Sequence, residues 1–431
     1  MKKYSAYKDS GVEWIGEIPS DWNIGSLKLF CDNITDGSHH SPPTVERGKR
    51  YISVKDIGQN EILFDGCKQI SNEEFELLER NGCRPEKGDI LLTKDGTIGR
   101  AAIVGDDNDF VALSSLGIIR PNKEKFNSFF LRESLVSSLN VNQMFSLIQG
   151  SALTRITISI INNLLIVIPP LDEQTQIAKY LDQKTVEIDT LIANKEQLIK
   201  LLEEERTAMI NQAVTKGLDP NVPMKDSGID WLGEIPEHWE IKKLKYVCNL
   251  INKKTKEKPE YVLALENIQS WSNEIIGNPF ENKMEGDSNL FQKNDILFNK
   301  LRPYLAKVLK ATREGGCVGE LLVLRPAKDI YPDFLYQRLS SEMIITIVDG
   351  STYGTKMPRA SWDKFISNIE VGVPPFGEQI TIAEFIESRL NGIKSIIEKY
   401  QQEIDLLKEY KTALISEVVT GKIDIRQEVL N

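Results

Sequence analysis

The sequence contains few of the residues that build metal centres or disulfide frameworks. It has five cysteines and three histidines among 431 residues. The cysteines are widely scattered and form no Cys-x-x-Cys pair, which excludes the common zinc motifs and a disulfide scaffold. No segment reaches the about 18 apolar residues that a membrane-spanning helix needs, and the lysines at positions 2 and 3 have no apolar run behind them. We therefore expect a cytoplasmic protein.

The chain also lacks an excess of positive charge, since its formal net charge is −10. This balance argues at first sight against a nucleic-acid partner, but a binding surface is local and charge must be compared segment by segment. The segment 23–168 is close to neutral, whereas the segment 240–373 carries more Lys and Arg than Asp and Glu. Contact with a polyanion is therefore predicted on these two segments, and ordinary solvated charge is the alternative.

Residues 169–218 have the pattern of one long amphipathic helix. Apolar residues recur every three or four positions with charged residues between them, which indicates a helix with one apolar face. Pro169 and Pro170 block a helix upstream, two acidic residues follow soon after them, and Gly217 can end the helix. Such a helix is roughly 65 Å long and needs a partner to cover its apolar face.

The partner is a second copy of the same segment. Three stretches occur twice in the same order, namely 9–22 and 226–239, 169–174 and 374–379, and 206–219 and 411–424. The chain is thus two copies of one module, each with a tryptophan-containing entry, a variable segment and a long helix.

Both variable segments share a skeleton of short strand-like runs separated by polar turns, which predicts an α+β architecture. The predicted strands are 51–54, 89–93, 101–104 and 117–119 in the first segment, and 261–265, 295–298, 305–309 and 321–324 in the second. The segments match at 88–91 and 294–297, at Lys94 and Lys300, at 120–121 and 325–326, and at 150–151 and 350–351. Their lengths and remaining residues differ, which indicates one frame with two different ligand-binding faces.

These duplicated features resemble the specificity subunit of type I restriction-modification systems over nearly the whole chain. The resemblance rests on the paired Pro-Pro-x-x-Glu-Gln entries at 169–174 and 374–379, on the long helices that follow, and on the Ile-Pro-x-x-Trp entries at 18–22 and 235–239. The segments 35–39, 88–91 and 96–99 also resemble those of target recognition domains.

The resemblance implies an α+β fold with two α/β target recognition domains and a pseudo-two-fold repeat. Two long antiparallel helices, paired as in a coiled coil, would join the domains. The predicted limits are 1–168 for the first domain, 169–218 for the first helix, 219–373 for the second domain and 374–431 for the second helix. Each domain would read half of a split, asymmetric DNA target, and readers on such a rod can occupy major grooves about one turn, ~34–36 Å, apart.

The resemblance also implies the partners and cofactors of the chain. Double-stranded DNA, two methyltransferase subunits on the helices, and restriction subunits joined through the methyltransferase core are the expected partners. No cofactor is expected in this chain. S-adenosylmethionine is expected in the methyltransferase partner, and ATP and Mg in the restriction partner.

The candidate DNA contacts lie in loops next to predicted strands. The glycine loop 94–100 offers cations and a hydroxyl to phosphates or bases, and a hairpin turn with solvated charges is the alternative. The polar loop after residue 38 and the lysine run from residue 253 could contact phosphates or be merely solvated. Residues after the shared Gly-Ser turn could read bases or form a structural turn. The predicted DNA-binding residues are Ser38, His39, His40, Arg47, Lys49, Arg50, Lys94, Thr97, Arg100, Thr154, Arg155, Lys253, Lys254, Lys256, Lys300, Arg302, Tyr304, Lys356 and Arg359.

The two helix entries and the tryptophans have predicted roles outside DNA readout. The predicted partner-binding residues are Glu173, Gln174, Glu378 and Gln379, with capping of their own helices as the alternative. The tryptophans at positions 14, 22, 231 and 239 are the same in both copies. Readers of different half-sites should diverge, so these tryptophans are predicted to be core or interface anchors rather than base-stacking groups.

No enzyme site is predicted in the sequence. Residues 374–376 resemble the Pro-Pro-aromatic motif of adenine methyltransferases, but Val373 and Ile168 before the two proline pairs cannot accept a hydrogen bond from an adenine amino group. Dinucleotide-binding and NTP-binding glycine motifs are also missing. We predict a non-catalytic DNA-recognition subunit. The alternatives are a protein-interaction scaffold, which the negative net charge favours, and a self-sufficient adenine methyltransferase, which the missing motifs disfavour.

Overall fold

The chain folds into two compact units. The structure, a computed structural model, describes residues 2–58, 60–107, 109–148, 154–255, 259–282, 288–354 and 356–428. The first unit consists of Met1–Asn194 with Gln402–Asn431, and the second unit is Lys195–Gln401. Each unit holds one copy of the variable segment, and both boundaries between the units fall inside the long helices.

The first unit contains a four-stranded antiparallel sheet, the main sheet, in the order β4-β10-β7-β8. Beside it lies a three-stranded sheet in the order β6-β5-β9, and β1 with β2 and β3 with β11 form two further antiparallel pairs. The strands are β1 (Tyr7–Asp9), β2 (Glu17–Pro19), β3 (Asn23–Ser26), β4 (Cys31–Asp36), β5 (Lys49–Ile52), β6 (Lys68–Ile70), β7 (Ile90–Thr93), β8 (Ala101–Ile103), β9 (Phe110–Ala112), β10 (Leu116–Pro121) and β11 (Leu165–Ile168). The helices are α1 (Asn72–Arg80), α2 (Ser128–Val136), α3 (Ser138–Ser146), α4 (Ile158–Asn162) and the first half of α5 (Leu171–Lys216).

The second unit repeats this plan with a main sheet in the order β15-β22-β19-β20 and a second sheet in the order β16-β18-β21-β17. Its strands are β12 (Met224–Asp226), β13 (Glu234–Pro236), β14 (Glu240–Lys243), β15 (Cys248–Leu250), β16 (Lys254–Thr255), β17 (Val262–Leu263), β18 (Ser288–Phe291), β19 (Ile296–Asn299), β20 (Val308–Lys310), β21 (Gly315–Cys317), β22 (Leu321–Pro326) and β23 (Glu370–Val373). Its helices are α6 (Leu244–Val247), α7 (Pro332–Ser340), α8 (Glu342–Gly350), the second half of α5 and the first part of α9 (Phe376–Val419), whose end belongs to the first unit.

The main sheets are buried on both faces, which explains why their strands are continuous apolar runs. In β7, Ile90 and Leu92 belong to one hydrophobic cluster while Leu91 belongs to another on the opposite face. In β19, Ile296 and Phe298 are likewise separated from Leu297. Successive side chains of a strand point to opposite faces, so an unbroken apolar run fits a sheet covered on both sides.

The predicted strands are confirmed for most of the skeleton, with shifts of a few residues at their ends. The prediction for 305–309 is wrong at its start, because residues Pro303–Leu305 form a 3₁₀ turn and the strand begins at Val308. Arg302 and Ala306 on either side of this turn have positive φ angles of 52° and 45°. A backbone in that region cannot continue a strand.

The long helices begin and end close to the predicted positions. Helix α5 begins at Leu171 directly after the proline pair and ends at Lys216. Gly217 follows with a φ of 76°, the left-handed conformation that ends many helices and favours glycine. Helix α9 begins at Phe376 and ends at Val419, and the limits 374–431 of the second helical segment stay a prediction.

Segments of the two helices pair antiparallel within each unit. In the first unit, Ile177 and Leu181 near the start of α5 share a hydrophobic cluster with Leu414 and Val418 near the end of α9. Asp189 and Lys411 form an ion pair at 2.7 Å beside this seam. In the second unit the order is reversed, because residues late in α5, such as Val214, pack with Ile382 and Ile386 early in α9. The second copy of the helix is therefore the partner that the sequence predicts.

An ion pair fixes the frame of each main sheet at the same place. The guanidinium of Arg120 donates two hydrogen bonds of 2.9 Å to the Asp89 carboxylate, and Arg325 donates two of 2.8 Å to Asp295. Each aspartate is buried, and the hydrogen bonds to Asp89 raise the pKa of Arg120. These contacts explain why both copies keep the same Asp and Arg.

The two inner tryptophans are confirmed as core anchors. Trp22 and Trp239 are fully buried and are among the largest buried side chains. Trp14 is 48% exposed and Trp231 is half-buried, so the core role is wrong for Trp14. An interface role for Trp14 stays a prediction.

Candidate nucleic-acid interface

In the first unit, four loops meet at one end of the main sheet. The end of β4, the start of β10 and the end of β7 lie together there, because Asp36 pairs with Gly117 and Leu116 pairs with Thr93. The backbone N–H of Gly96 donates to the Thr154 carbonyl at 3.0 Å, and that of Ile156 donates to the Lys94 carbonyl at 2.9 Å. The first loop cluster therefore consists of residues 36–40, 94–100, 113–115 and 154–155.

Lys94 lies inside this cluster rather than on its surface. It is only 1% exposed, and its Nζ atom lies 3.4 Å from Asp36 Oδ2 and 3.7 Å from Asp95 Oδ1. The predicted DNA contact is therefore wrong for Lys94. Its backbone and its charge hold neighbouring loops of the first unit together.

The predicted DNA contact is also wrong for Ser38, because its hydroxyl forms hydrogen bonds within its own turn. The hydroxyl donates to the His40 carbonyl at 2.7 Å and accepts from the His40 N–H at 3.0 Å, and the residue is buried. Gly37 before it packs so closely that an added Cβ would lie 2.1 Å from the Ala112 carbonyl oxygen. Only glycine fits this close approach, so the Asp-Gly-Ser sequence builds the loop instead of touching a ligand.

The exposed side chains of the first loop cluster are polar, and two of them, Arg100 and Arg155, are cationic. Arg155 is half exposed, and its Nε atom lies 3.1 Å from Asp95 Oδ1. His39 is largely exposed, and its Nε2 atom lies 3.1 Å from Asp36 Oδ2. The remaining predicted residues that stay exposed here are His40, Thr97, Arg100 and Thr154. Arg100 donates only a long 3.4 Å hydrogen bond to the Ile57 carbonyl.

The cations Arg47, Lys49 and Arg50 lie away from this cluster. The N–H of Val54, just after β5, donates to Ser115 Oγ, so the end of β5 faces the cluster and its start faces away. At that start, Lys49 pairs with Asp109 and Arg50 pairs with Asp107, each at 2.6 Å. The structure therefore does not bring these residues together with the others, and two of the three already have acidic partners.

The second unit gathers a corresponding second loop cluster at the same end of its main sheet. The N–H of Arg302 donates to the Pro358 carbonyl at 2.8 Å, and the N–H of Lys300 donates to the Glu320 carbonyl at 3.1 Å. Arg359 pairs with Glu320 at 3.2 Å. This cluster consists of residues 300–304, 318–320, 353–354 and 356–359, and it unites the predicted residues Lys300, Arg302, Tyr304, Lys356 and Arg359.

Arg302 and Lys356 are the two exposed cations of the second loop cluster. Neither side chain forms an ion pair or hydrogen bond with the residues that the structure describes. Lys253 and Lys254 are also exposed and follow β15 at the place where β4 ends in the first unit. Lys256, and residues 150–151 of the predicted Gly-Ser turn, lie outside the described residues.

Two groups of residues in these clusters were not predicted from the sequence. Thr93 and Asn299 end the central strands and use their side chains to close the following loops, with bonds of 2.9 Å to the Arg100 N–H and 3.0 Å to the Leu301 N–H. Tyr353 is 61% exposed and its backbone pairs with Arg359, which places it beside the predicted contacts. Its position soon after a duplicated Gly-Ser turn was the available signal.

The predicted partner-binding role is wrong for Glu173, Gln174 and Gln379, which are buried. The Glu173 carboxylate accepts from the Tyr4 hydroxyl at 2.7 Å and from Trp22 Nε1 at 3.0 Å. Gln174 accepts from the Asn127 N–H at 3.0 Å, and Gln379 accepts from the Tyr331 N–H at 2.8 Å. These side chains attach each helix to its own unit. Glu378 is half-buried and accepts from Trp239 and His238, so its partner contact stays a prediction.

Replacing Lys94 by methionine tests its position in the interior. The substitution keeps the length of the side chain but removes the buried ammonium group that lies beside Asp36 and Asp95, so we expect the free energy of unfolding to fall by about 1–3 kcal/mol. Urea denaturation measures this change. The matched control is Arg100→Met on the exposed side of the same loop, which should leave stability nearly unchanged. Weakened DNA binding by Lys94→Met without loss of stability would instead make Lys94 a direct contact.

The described residues contain no group of three or more His, Cys, Asp or Glu side chains that could hold a metal ion. Among the helices that the structure describes, none is long and apolar enough to cross a membrane. What the two clusters offer is arginine, lysine, hydroxyl and aromatic groups on loops held by a rigid sheet, the chemistry that contacts phosphates and base edges.

Comparison with known proteins places most of the chain in one protein family. The family described as "Type I restriction modification DNA specificity domain" matches residues 19–203 and 236–406. The type I restriction enzyme MjaVIII specificity subunit of Methanocaldococcus jannaschii is 25% identical over 95% of this chain and 94% of its own. The EcoDI specificity subunit of Escherichia coli is 22% identical over 95% of this chain and 90% of its own.

Solved structures share the fold. A chain from a structure of complex assembly and conformational transition of the type I R-M system has a TM-score of 0.70 and 14% identity, covering 94% of this chain and 99% of that chain. The HsdS subunit from Thermoanaerobacter tengcongensis has a TM-score of 0.55 and 17% identity, covering 94% and 98%. These likenesses confirm the predicted fold class, with two repeated domains and long connecting helices.

Proposed function

The chain belongs to the family of type I restriction-modification DNA specificity proteins, and we propose that it is the subunit that selects the DNA target of such a system. Each unit reads one half of a split target through its own loop cluster. The subunit has no catalytic role of its own. It positions an adenine methyltransferase, and the restriction subunits that join it, at the sequence that it has bound.

The observation that carries this proposal is one frame with two different loop clusters. Both units hold their central strand with the same Asp-Arg pair, yet the loops at the other end of the sheet differ. The first cluster presents Thr97, Arg100 and Arg155, and the second presents Arg302 and Tyr304. Because unlike surfaces read unlike bases, the target is asymmetric rather than palindromic.

The local charge of the clusters supports DNA as the ligand in spite of the negative net charge. In the second cluster, the cations Lys300, Arg302, Lys356 and Arg359 outnumber the carboxylate of Glu320. Phosphate contacts depend on such local cations and not on the charge of the whole chain. The acidic residues that give the net charge are carried largely by the helices and their flanks.

Two methyltransferase subunits are proposed to bind the long helices. Exposed apolar side chains occur at equivalent positions of the repeat, with Leu191 and Leu406 in the first unit and Ile396 and Leu201 in the second. A surface that occurs twice on one chain suits two copies of the same partner. S-adenosylmethionine would act in these subunits, and ATP and Mg in the restriction subunits.

The proposal also excludes methyl transfer by this chain alone. Adenine methyltransferases need a polar side chain before the Pro-Pro-aromatic sequence to accept from the target amino group. Val373 and Ile168 stand at that position and are buried ends of strands β23 and β11. Neither side chain can accept a hydrogen bond.

Methylation mapping by long-read sequencing tests the proposed function. A host that carries this chain with its methyltransferase partner is compared with one that carries the methyltransferase alone. We expect a split, asymmetric adenine-methylation motif only in the presence of this chain. Replacing residues 23–168 with those of another specificity subunit should change one half of the motif and leave the other half intact. We propose 1–168, 169–218, 219–373 and 374–431 as working domain limits for this exchange.

A scaffold role without DNA readout is the competing function, and the negative net charge is its support. It predicts that an active methyltransferase modifies the same sites with or without this chain. If the mapped motif does not depend on the chain, the DNA-recognition proposal fails and the scaffold takes its place.

A further inference from the structure

Four exposed lysines occupy the same two positions of both modules, and the fold does not explain them. Lys87 and Lys293 lie two residues before the buried aspartate of the Asp-Arg pair. Lys123 and Lys328 follow the Arg-Pro sequence that ends the long strand of each main sheet. All four residues are exposed. The loop clusters of the two units differ, so lysines that recur at the same two positions of both modules need a reason that both modules share.

Contacts within the chain do not supply that reason. The ammonium groups of Lys123, Lys293 and Lys328 form no ion pair or hydrogen bond with the part of the chain that the structure describes. Lys87 pairs with Asp106, but both side chains are largely exposed, at 67% and 87%, and such pairs contribute little to stability. By contrast, the shared Asp-Arg pairs and Lys94 have clear structural roles.

DNA readout does not explain the shared lysines either, because they lie at the end of each main sheet that is opposite the loop cluster. They stand beside the start of β7 and β19 and the end of β10 and β22, whereas the loop clusters stand beside the opposite strand ends. Four residues of strand separate the two ends by about 13 Å. Moreover, the two half-sites differ, so a feature that both modules keep should face a ligand that both modules share.

In the first unit, the two lysines line one cleft. The exposed ring of Phe129 and the exposed first residue of helix α5, Leu171, also line it, as does the buried Arg132, which is paired with Glu133. No carboxylate is among its lining residues. Glu86 beside Lys87 is already paired with Arg120 at 2.8 Å. The cleft therefore offers positive charge and apolar surface next to the start of a long helix.

The second unit keeps the same elements on the same backbone frame. The Gly88 N–H donates to the Val104 carbonyl at 2.9 Å, and the Asn294 N–H donates to the Ala311 carbonyl at 2.7 Å. The amide of Gln174 donates to the Lys125 carbonyl and that of Gln379 to the Asp329 carbonyl, each at 3.1 Å.

The first residue of the second long helix is apolar and exposed as well. Phe376 at the start of α9 is 47% exposed and packs edge-on against Tyr331. Each unit therefore has two exposed lysines and an exposed apolar residue at the start of its long helix.

We propose that Lys87 with Lys123, and Lys293 with Lys328, are two copies of a docking surface for an acidic segment of the methyltransferase subunit. The inference rests on the proposed function, since it takes two methyltransferases as the partner that the modules share. The lysines attract carboxylates of the segment, and Leu171 or Phe376 receives an apolar side chain. The surfaces adjoin the starts of the long helices, so each continues the proposed helix interface on its own unit.

Charge reversal in the full-length chain tests this surface. Lys87→Glu with Lys123→Glu alters the first copy, and Lys293→Glu with Lys328→Glu alters the second. The purified methyltransferase subunit of the same system is the probe, and native mass spectrometry gives the number bound. Each double variant should retain one methyltransferase and lose at least about tenfold in affinity for the other. The matched control, Lys55→Glu with Lys68→Glu, makes the same charge change elsewhere on the first unit and should still bind two.

Amine-reactive labelling of the unaltered chain gives a second measurement that does not depend on the folding of a variant. The four lysines should be protected when the methyltransferase is bound, while Lys55 and Lys68 stay reactive. Two methyltransferases on every variant and no protection would overturn the proposal. Equal weakening of binding to all DNA sequences, with two methyltransferases still bound, would make the lysines phosphate contacts and overturn it as well. In either case a chain-dependent methylation motif would leave the proposed function standing.

Discussion

Replacing Glu173 by alanine should destabilise the first unit by about 3 kcal/mol. The carboxylate accepts hydrogen bonds from the Tyr4 hydroxyl and Trp22 Nε1 in a buried place, and a buried donor that loses its acceptor costs about 1–3 kcal/mol. Burial raises the pKa of Tyr4, so in the variant the hydroxyl stays protonated and keeps a donor without its acceptor. Urea denaturation, followed by hydrogen exchange of peptides from β2 and β11, measures the change in the first unit.

The equivalent residue of the second unit provides the matched control. Glu378 accepts from Trp239 Nε1 at 3.1 Å and from His238 at 2.7 Å, but its side chain is 29% exposed. Water can replace a lost acceptor there, so Glu378→Ala should cost roughly 1 kcal/mol. Glu173→Gln keeps one acceptor and should fall between the two. A loss for Glu173→Ala no larger than that for Glu378→Ala would show that the Tyr4 and Trp22 bonds are not the main attachment of the helix.

The sequence predicts the long helices and the module frame well because duplication turns weak signals into strong ones. The Pro-Pro pair, the helical period and the closing glycine are individually common, but their recurrence in order leaves few other interpretations. The inner tryptophans were predicted correctly for the same reason. Residues that build a shared frame must stay the same in both copies, and Trp22 and Trp239 occupy equivalent buried places.

The same reasoning failed for Lys94, since a residue kept in both copies is needed but not necessarily exposed. Lys94 was predicted to touch DNA because a lysine recurs at position 300. The structure places its ammonium group against Asp36 and Asp95, and these carboxylates come from two different loops. A sequence does not show whether a polar group already has a partner inside the fold.

Long-range pairing explains why other predicted residues have partners that the sequence does not reveal. Lys49 and Arg50 are predicted cations in a polar loop, yet their acidic partners Asp109 and Asp107 are about sixty residues away along the chain. The side chain of Gln174 similarly finds Asn127 across the first unit. Such partners depend on how strands are ordered in the sheets, and the local pattern of either segment carries no information about them.

The second large effect is expected at Arg302. Its side chain is exposed and has no partner among the described residues, and its backbone is held in the left-handed region by a bond to the Pro358 carbonyl. An anchored backbone and an unpaired guanidinium group suit bidentate pairing with guanine. Arg302→Ala should therefore lower affinity for the target by roughly 10- to 100-fold and relax discrimination in one half-site, which corresponds to about 1–3 kcal/mol.

Binding of the assembled complex to the target and to single-base variants of it measures this effect. Arg302→Lys keeps the charge but cannot form the planar pair, so it should restore phosphate attraction without restoring discrimination. Arg100→Ala in the first loop cluster is the matched control and should affect the opposite half of the target.

The salt dependence of binding separates base readout from phosphate contact at Arg302. A phosphate contact contributes equally to all sequences, and its removal lowers the slope of log affinity against log salt by about one. A base contact contributes mainly to the correct target and leaves most of that slope intact. If Arg302→Ala weakens target and unrelated DNA equally, the residue positions the second unit on the backbone. Discrimination must then come from other exposed groups of the same cluster, of which Tyr304 and Tyr353 are the next to test.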